Sequence, residues 1–309
     1  MEDPGEYLSA QLKGQGLSIR IVSGSHVADL KAKIESDHIE GLLEDKFFNE
    51  RLQFYQFGAE DVLRPAESMI IIAKPRPQTP VKFTAEGKTL TLTLPPTYAR
   101  YTAITREVGE VLQMLLSPQG YQVTEARLPL KLLAACSGLA EYGRNNVCYI
   151  EGMGSFFELM AYYSDMPCVE DSWQQPQMLP RCKTCKSCLI QCPTSAITDE
   201  RFLLHAERCL TYHNESAATR PFPAEVDPTA HNALMGCMLC QRFCPEDKPF
   251  LNYFEQGVDF SAQETAMLLH GASMDDLNAE TIRKLDYLEL TGDLDKLPRN
   301  LGVFFNPLE

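Results

Sequence analysis

The sequence carries a single tryptophan in 309 residues and no run approaching eighteen apolar residues, the length a helix needs to span a bilayer. No membrane partner is expected. The opening segment MEDPGEYLSAQLKGQG lacks a basic leader with an apolar core and lacks a twin-arginine pair, so a cytoplasmic location is expected. Neither Gly-x-Gly-x2-Gly nor a Walker sequence occurs, which leaves nucleotide-driven chemistry without a visible seat. Low-complexity tracts are missing as well, and with 44% hydrophobic and 23% charged residues the chain should fold throughout.

Positive charge is also scarce. Lys and Arg number 28 against 42 Asp and Glu, a formal net charge of −14. A field of that sign repels phosphate backbones, so nucleic acid is not an expected partner.

Cysteine, by contrast, is abundant, with eleven residues. A chain of this length can build real cores without disulfide staples. In a reducing cytosol its cysteines are better read as metal ligands. Cys182, Cys185, Cys188 and Cys192, followed by Pro193, spell Cys-x2-Cys-x2-Cys-x3-Cys-Pro. That is the bacterial ferredoxin run, in which the last cysteine serves the other cluster. Cys209 comes next, then Cys237, Cys240 and Cys244 with Pro245, a second set whose first member is displaced far upstream. The crossover rule assigns Cys182, Cys185, Cys188 and Cys244 to one [4Fe-4S] cluster and Cys192, Cys209, Cys237 and Cys240 to a second. A single cluster is one alternative. A zinc ribbon on Cys182, Cys185, Cys237 and Cys240 is another, but it strands the remaining cysteines of the motifs and both Cys-Pro steps. Cys136, Cys148 and Cys168 have no partner motif and read as inert thiols. His205, His213 and His231 fall in the cysteine-rich region, where they could tune a cluster by hydrogen bonding or simply lie at the surface.

The flanking sequence predicts a mixed α/β N-terminal part. A strand is expected near Ser18 to Val22, then a helix from Ser25 with Val27, Leu30 and Ile34 on one face. Met69 to Ala73 read as a strand covered on both sides, and residues 81–94 as a hairpin turning at Glu86 and Gly87. Ile104, Val108, Val111, Leu112 and Leu115 form the stripe of a helix from Thr97 to Leu116. A helix from Leu128 to Cys136, a strand around Val147 to Ile150 and a helix from Phe156 to Ser164 follow. The main boundary is placed in residues 169–181, which hold two prolines and little periodicity. Ser261 with Glu264 forms a capping box, and Ala279 to Leu290 is helical. The expected fold class is α+β: an α/β domain over 1–175, which the resemblance described next makes corrinoid-binding-like, a ferredoxin-like two-cluster domain over 176–250 and a helical C-terminal region over 251–309.

The segments RPAESMIIIA, PTYARYTAI, SGLAEYGRNN, GSFFELMAYYSDMP, CKTCKSCLIQCPTSAI, ERCLTYHNE and GCMLCQRFCPEDK together resemble the epoxyqueuosine reductase family over roughly residues 60–250. The resemblance implies cobalamin held between the N-terminal domain and the ferredoxin-like unit. Arg144, Asn145, Ser155, Phe156 and Phe157 are the matching positions near the corrinoid. The sequence departs from the family in two places. Thr124 and Glu125 stand where members carry a proton-donating aspartate, so Glu125 becomes the candidate donor, provided burial raises its pKa. A Gly-Leu-Gly segment has become Gly138-Leu139-Ala140, and the C-terminal region is shorter than in members with a helical repeat domain for tRNA. Asp37 and His38 are adjacent, so the Asp-x-His motif that offers histidine to cobalt in other corrinoid proteins is absent.

The resulting expectation is an iron–sulfur oxidoreductase that delivers electrons to a corrinoid and reduces a small molecule rather than tRNA. A low-potential donor of the ferredoxin or flavodoxin type would supply the electrons. The alternative is an electron-transfer protein that reduces or reactivates a partner corrinoid protein.

Overall fold

The computed structural model describes residues 3–58, 63 and 66–305. Arg64 and Pro65, which open the RPAESMIIIA motif, lie outside them. Asp3 caps α1 (Pro4–Gly14): its carboxylate accepts the Gly5 amide at 3.1 Å, and Pro4 sits where a helix has no use for an N–H. β1 (Ser18–Ser23) leads through a 3-10 turn into α2 (Val27–Ile39), and Glu44 caps α3 (Asp45–Arg51). β2 (Ser68–Pro75) is buried from Ser68 to Ala73, as a strand covered on both faces should be. β3 (Thr79–Ala85) and β4 (Lys88–Leu94) form the expected hairpin. Its turn residues Glu86 and Gly87 both have positive φ, 51° and 76°, the combination whose twist matches paired strands.

α4 (Tyr101–Leu116) begins later than Thr97 because Arg100, at φ 57°, breaks the approach. β5 (Val123–Glu125) is a short edge strand, and α5 (Leu130–Cys136) starts behind Pro129. β6 (Glu141–Tyr142) and β7 (Cys148–Tyr149) make a small hairpin. β8 (Phe157–Ser164) corrects the helix expected there. Every residue of β8 is buried, so its apolar run shows neither strand nor helix periodicity. Length decides for a strand, as does its pairing with β2, which sets Tyr162 opposite Ile70 and Tyr163 opposite Met69.

The remaining elements are α6 (Ser187–Gln191), α7 (Leu210–Asn214), α8 (Leu239–Arg242), β9 (Val258–Phe260), α9 (Ala262–Leu269), α10 (Ala279–Tyr287) and α11 (Leu297–Phe305). α9 opens with the expected capping box between Ser261 and Glu264. Among the described residues no helix is long and apolar enough to cross a membrane.

The chain separates into two compact units, Met1–Pro75 with Ala103–Lys186, and Arg76–Thr102 with Ser187–Glu309. The first is built on an antiparallel sheet of order β1-β2-β8-β5. Alternate residues of its central strands enter different cores. Ile70, Ile72, Met160 and Tyr162 pack with Leu8 and Leu12 of α1 and Val108 and Leu112 of α4. Met69, Ile71, Leu159 and Ala161 pack with Leu133 to Ala135 of α5 and with Tyr142 and Cys148 of the small hairpin. Residues 171–179 run along this unit, with Gln174 N donating to Cys136 O and Tyr142 N to Gln177 O, both at 2.8 Å.

In the second unit, β9 joins β3 in parallel, extending the hairpin to a sheet of order β4-β3-β9. Val81, Phe83 and Phe260 of that sheet form one core with Leu268, Leu285, Leu297 and Leu301 from the C-terminal helices. Phe83 and Phe260 stack, their centroids 5.1 Å apart.

Candidate metal centre

Within the second unit, Cys188 is buried on α6, and Cys240 lies on α8, which packs against α6. Cys209 occupies the N-cap position of α7. It interacts electrostatically with Cys237 and Cys192, and Cys237 with Cys192 in turn, so three thiols separated by up to 45 positions of sequence are neighbours.

Donors are aimed at these sulfurs. The Cys209 thiol accepts from the backbone N–H and the hydroxyl of Thr211. Asn232 Nδ2 donates to Cys237 Sγ at 3.3 Å, and the Leu239 N–H also donates to that thiol. Asn232 is held in turn by Met238 N, which donates to its Oδ1 at 3.3 Å. Burial pushes the Cys209 thiol up to about 11, with the neighbouring Cys237 and Cys192 thiols adding to the shift against the Thr211 donors. Burial raises Cys237 as well.

Iron ionises such thiols on binding, and hydrogen bonds to sulfur are a principal means of tuning a cluster. The donor set therefore fits an iron–sulfur group. Among the described residues no three His, Cys, Asp or Glu side chains close in tightly enough for one metal ion; a cubane's ligands stand at its corners, wider apart than the donors of a single ion.

Tyr98 borders the same thiols. Its hydroxyl donates to Glu215, and burial, then the Glu215 charge, with Cys209 and Cys237 behind them, hold its pKa well above the usual value. Sequence reasoning missed Tyr98, Glu215 and Asn232. Tyr98 stands in PTYARYTAI, far from any cysteine in sequence, so only folding brings it to the thiols.

In the first unit, Cys182 lies in a 3-10 turn (Pro180–Lys183) and Cys185 follows it. Arg144, in the turn between β6 and β7, donates from Nη2 to Cys182 O at 2.7 Å and from Nε to Cys185 O at 3.2 Å. Asn145 is buried inside the same turn, its Nδ2 donating to Tyr149 Oη at 3.0 Å. Ser155, Phe156 and Phe157 are buried, and Phe157 belongs to the core around Tyr142 and Cys148. Glu125, opposite Tyr162 at the end of β5, is exposed, whereas the proton-donor expectation calls for burial.

Burial pushes Cys136 to about 11, Cys148 to about 12 and the half-exposed Cys168 to about 11, values that keep all three protonated and unreactive. His205 Nδ1 pairs with Glu207 at 3.1 Å. Burial lowers His213 and takes His231 to about 4, with Arg299 adding to both shifts. A cavity of about 410 Å³ beside β5 is lined by Gln113, Tyr121 and Thr124, and one of about 740 Å³ in the second unit by Lys82, Asp259 and Lys284. Neither is lined by a cysteine.

Residues 181–247 match the 4Fe-4S double cluster binding domain. The chain is thus a mixed α/β protein with a domain for two [4Fe-4S] clusters. Its sequence relatives are more particular. It is 30% identical to the epoxyqueuosine reductase of Pseudomonas aeruginosa over 142 residues, 45% of this chain and 38% of that protein. It is 30% identical to the Escherichia coli enzyme over 142 residues, 45% of this chain and 36% of that protein. The fold matches the solved epoxyqueuosine reductase of Bacillus subtilis with a TM-score of 0.67 at 19% identity, covering 96% of this chain and 80% of that one. The Streptococcus thermophilus structure gives 0.65 at 15% identity, covering 93% and 76%. The chain is similar to the epoxyqueuosine reductases, and the matched stretch spans less than half the length of those curated relatives.

Proposed function

We propose that the chain is an oxidoreductase that relays electrons through two [4Fe-4S] clusters to a corrinoid and reduces a small substrate other than tRNA. The observation that carries it is the convergence of Cys192, Cys209 and Cys237, from three separate stretches of chain, with N–H donors directed at the sulfurs of Cys209 and Cys237. Cys192, Cys209, Cys237 and Cys240 would hold one cluster, and Cys182, Cys185, Cys188 and Cys244 the other. When bound, the pair supplies single-electron transfer at low potential. The functional division proposed is 1–175 for corrinoid and substrate, 176–250 for the clusters and 251–309 as a helical support.

Likeness to the epoxyqueuosine reductases supports the corrinoid. Cobalamin, when bound, would supply the reducing metal. Asn145, Ser155, Phe156 and Phe157 are the residues proposed to shape its site; Glu125, exposed at the end of β5, is not assigned the proton transfer. The net charge of −14 favours a small substrate over a polyanion, and a donor of the ferredoxin or flavodoxin type would feed the clusters.

Anaerobically reconstituted protein mixed with cobalamin tests the proposal. A shift of the visible cobalamin spectrum with saturable binding is expected. Clusters without cobalamin binding would remove the enzyme and leave a carrier that reduces a partner corrinoid protein. Salt-sensitive tRNA binding would overturn the choice of substrate.

A further inference from the structure

We infer that Arg144 is a positioning residue for the first Cys-x2-Cys loop, holding its two arms together and setting the potential of the cluster they ligate. The inference rests on the double-cluster proposal and adds to it a residue outside the cysteine set.

The turn that presents Arg144 is stiff. Gly143 N donates to Val147 O at 2.8 Å and Asn146 N to Gly143 O at 3.0 Å, with Asn146 at φ 57°. Asn145 braces it from within, Oδ1 accepting Val147 N at 3.2 Å and Nδ2 donating to Tyr149 Oη at 3.0 Å. The same hairpin grips the chain that leads to the cysteines, because Tyr142 N donates to Gln177 O at 2.8 Å and Leu179 N to Tyr142 O at 2.9 Å. Arg144 is therefore delivered to the loop from a framework already fastened to it.

The loop itself has little regular structure. Its backbone hydrogen bonds include Cys182 N to Leu179 O, Thr184 N to Arg181 O and Cys185 N to Arg181 O, those of one short turn. A planar guanidinium joining Cys182 O and Cys185 O fixes the carbonyls on both sides of the Cys-x2-Cys step. Lysine, a point charge without the fork, cannot reproduce that geometry. The charge acts separately from the shape. Placed beside the carbonyls of both ligand residues, a permanent cation favours the more negative, reduced cluster and raises its potential.

The two effects can be separated with R144K and R144Q in the full chain, isolated anaerobically alongside the parent. Iron and sulfide content, the rate of cluster loss to a chelator and a redox titration followed by electron paramagnetic resonance would be measured. R144K is expected to keep both potentials while losing cluster about tenfold faster, since a charge-assisted hydrogen bond is worth about 1.5 kcal/mol or more. R144Q should match that loss rate and also shift one of the two potentials down by about a tenfold change in the reduction equilibrium, ~59 mV for one electron. Unchanged chelation rates and potentials in both variants, with the parent fully loaded, would overturn the inference and leave the clusters standing. An equal shift of both potentials in R144Q would overturn its locality. If R144Q does not fold, R144K decides by its chelation rate, and parental behaviour there counts against the inference. An iron-free parent would instead sink the double-cluster proposal itself.

Discussion

The Tyr98 hydroxyl stands 2.7 Å from the point a Cβ on Gly236 would occupy, with Pro95 Cγ 2.9 Å from the same point. Gly236 has φ 72° and immediately precedes Cys237. Tyr98 therefore wedges the approach to one thiol while its hydroxyl holds Glu215, just beyond the helix that Cys209 opens. Gly236→Ala meets both a left-handed backbone and a filled space, and should cost about 3 kcal/mol. Denaturant unfolding at matched iron content measures this. Tyr98→Phe keeps the ring and loses the hydrogen bond, so a drop of about 1 kcal/mol is expected.

Arg299 of α11 is the anchor of the segment after Cys209. Its Nη1 donates to Ala217 O and Arg220 O at 3.1 and 2.7 Å, and its Nη2 to His213 O, Asn214 O and Ser216 O at 3.0, 3.0 and 3.1 Å. Its guanidinium also lies 4.6 Å from the centroid of the Phe222 ring. Arg299→Ala removes five hydrogen bonds, although Asn214 O keeps Asn300 Nδ2, Ala217 O keeps Arg220 N and His213 O keeps Ser216 N, and it should lower stability by about 3 kcal/mol. Faster proteolytic cleavage between Cys209 and Cys237 is the local readout. Cleavage at the parental rate would show that the segment holds without its anchor.

Glu264 gives a pH signature. Burial works against its charge, but Lys284, Ser261 and Thr281 outweigh it and hold the carboxyl at about 2, below its ordinary 4.5. Lys284 Nζ lies 2.8 Å from Oε1. A depressed folded pKa stabilises above the unfolded value and loses that contribution as pH falls through the folded one. Glu264→Gln should therefore cost roughly 3 kcal/mol at pH 7. The difference from the parent should shrink between about pH 4.5 and 2; a pH-independent difference in unfolding free energy would contradict it.

His26 sits between Asp29 and Asp171, 2.7 Å from each, and stacks on Trp173 with centroids 4.2 Å apart. Burial opposes protonation, but the two carboxylates prevail and raise its pKa above 6.5. The contact is complete below 6.5 and is lost as pH rises through the raised value. Trp173 is the sole tryptophan, so its fluorescence should increase across that window as the quenching imidazolium disappears. His26→Gln should flatten the titration.

What could be read in advance follows from how local each signal is. The β3–β4 hairpin, the covered strand β2 and the α9 capping box are encoded by adjacent residues, and all were legible. β8 was not, because its identity as a strand depends on β2, roughly ninety residues earlier in the chain, and on β5. The parallel pairing of β3 with β9 joins Val81 to Val258 and left no mark in either segment. At the metal centre the cysteine spacing was legible, since a cluster constrains it directly. Tyr98, Asn232 and Arg144 as a loop clamp were hidden, because each meets the cysteines only through tertiary contacts.

Iron and acid-labile sulfide per chain, compared between the parent and Cys209→Ser, test the central claim most directly. Paired cubanes predict about eight of each in the parent and about four in the variant. About four irons in the parent, or no loss on removing the Cys209 thiol, would contradict the convergence of Cys192, Cys209 and Cys237 on a cluster.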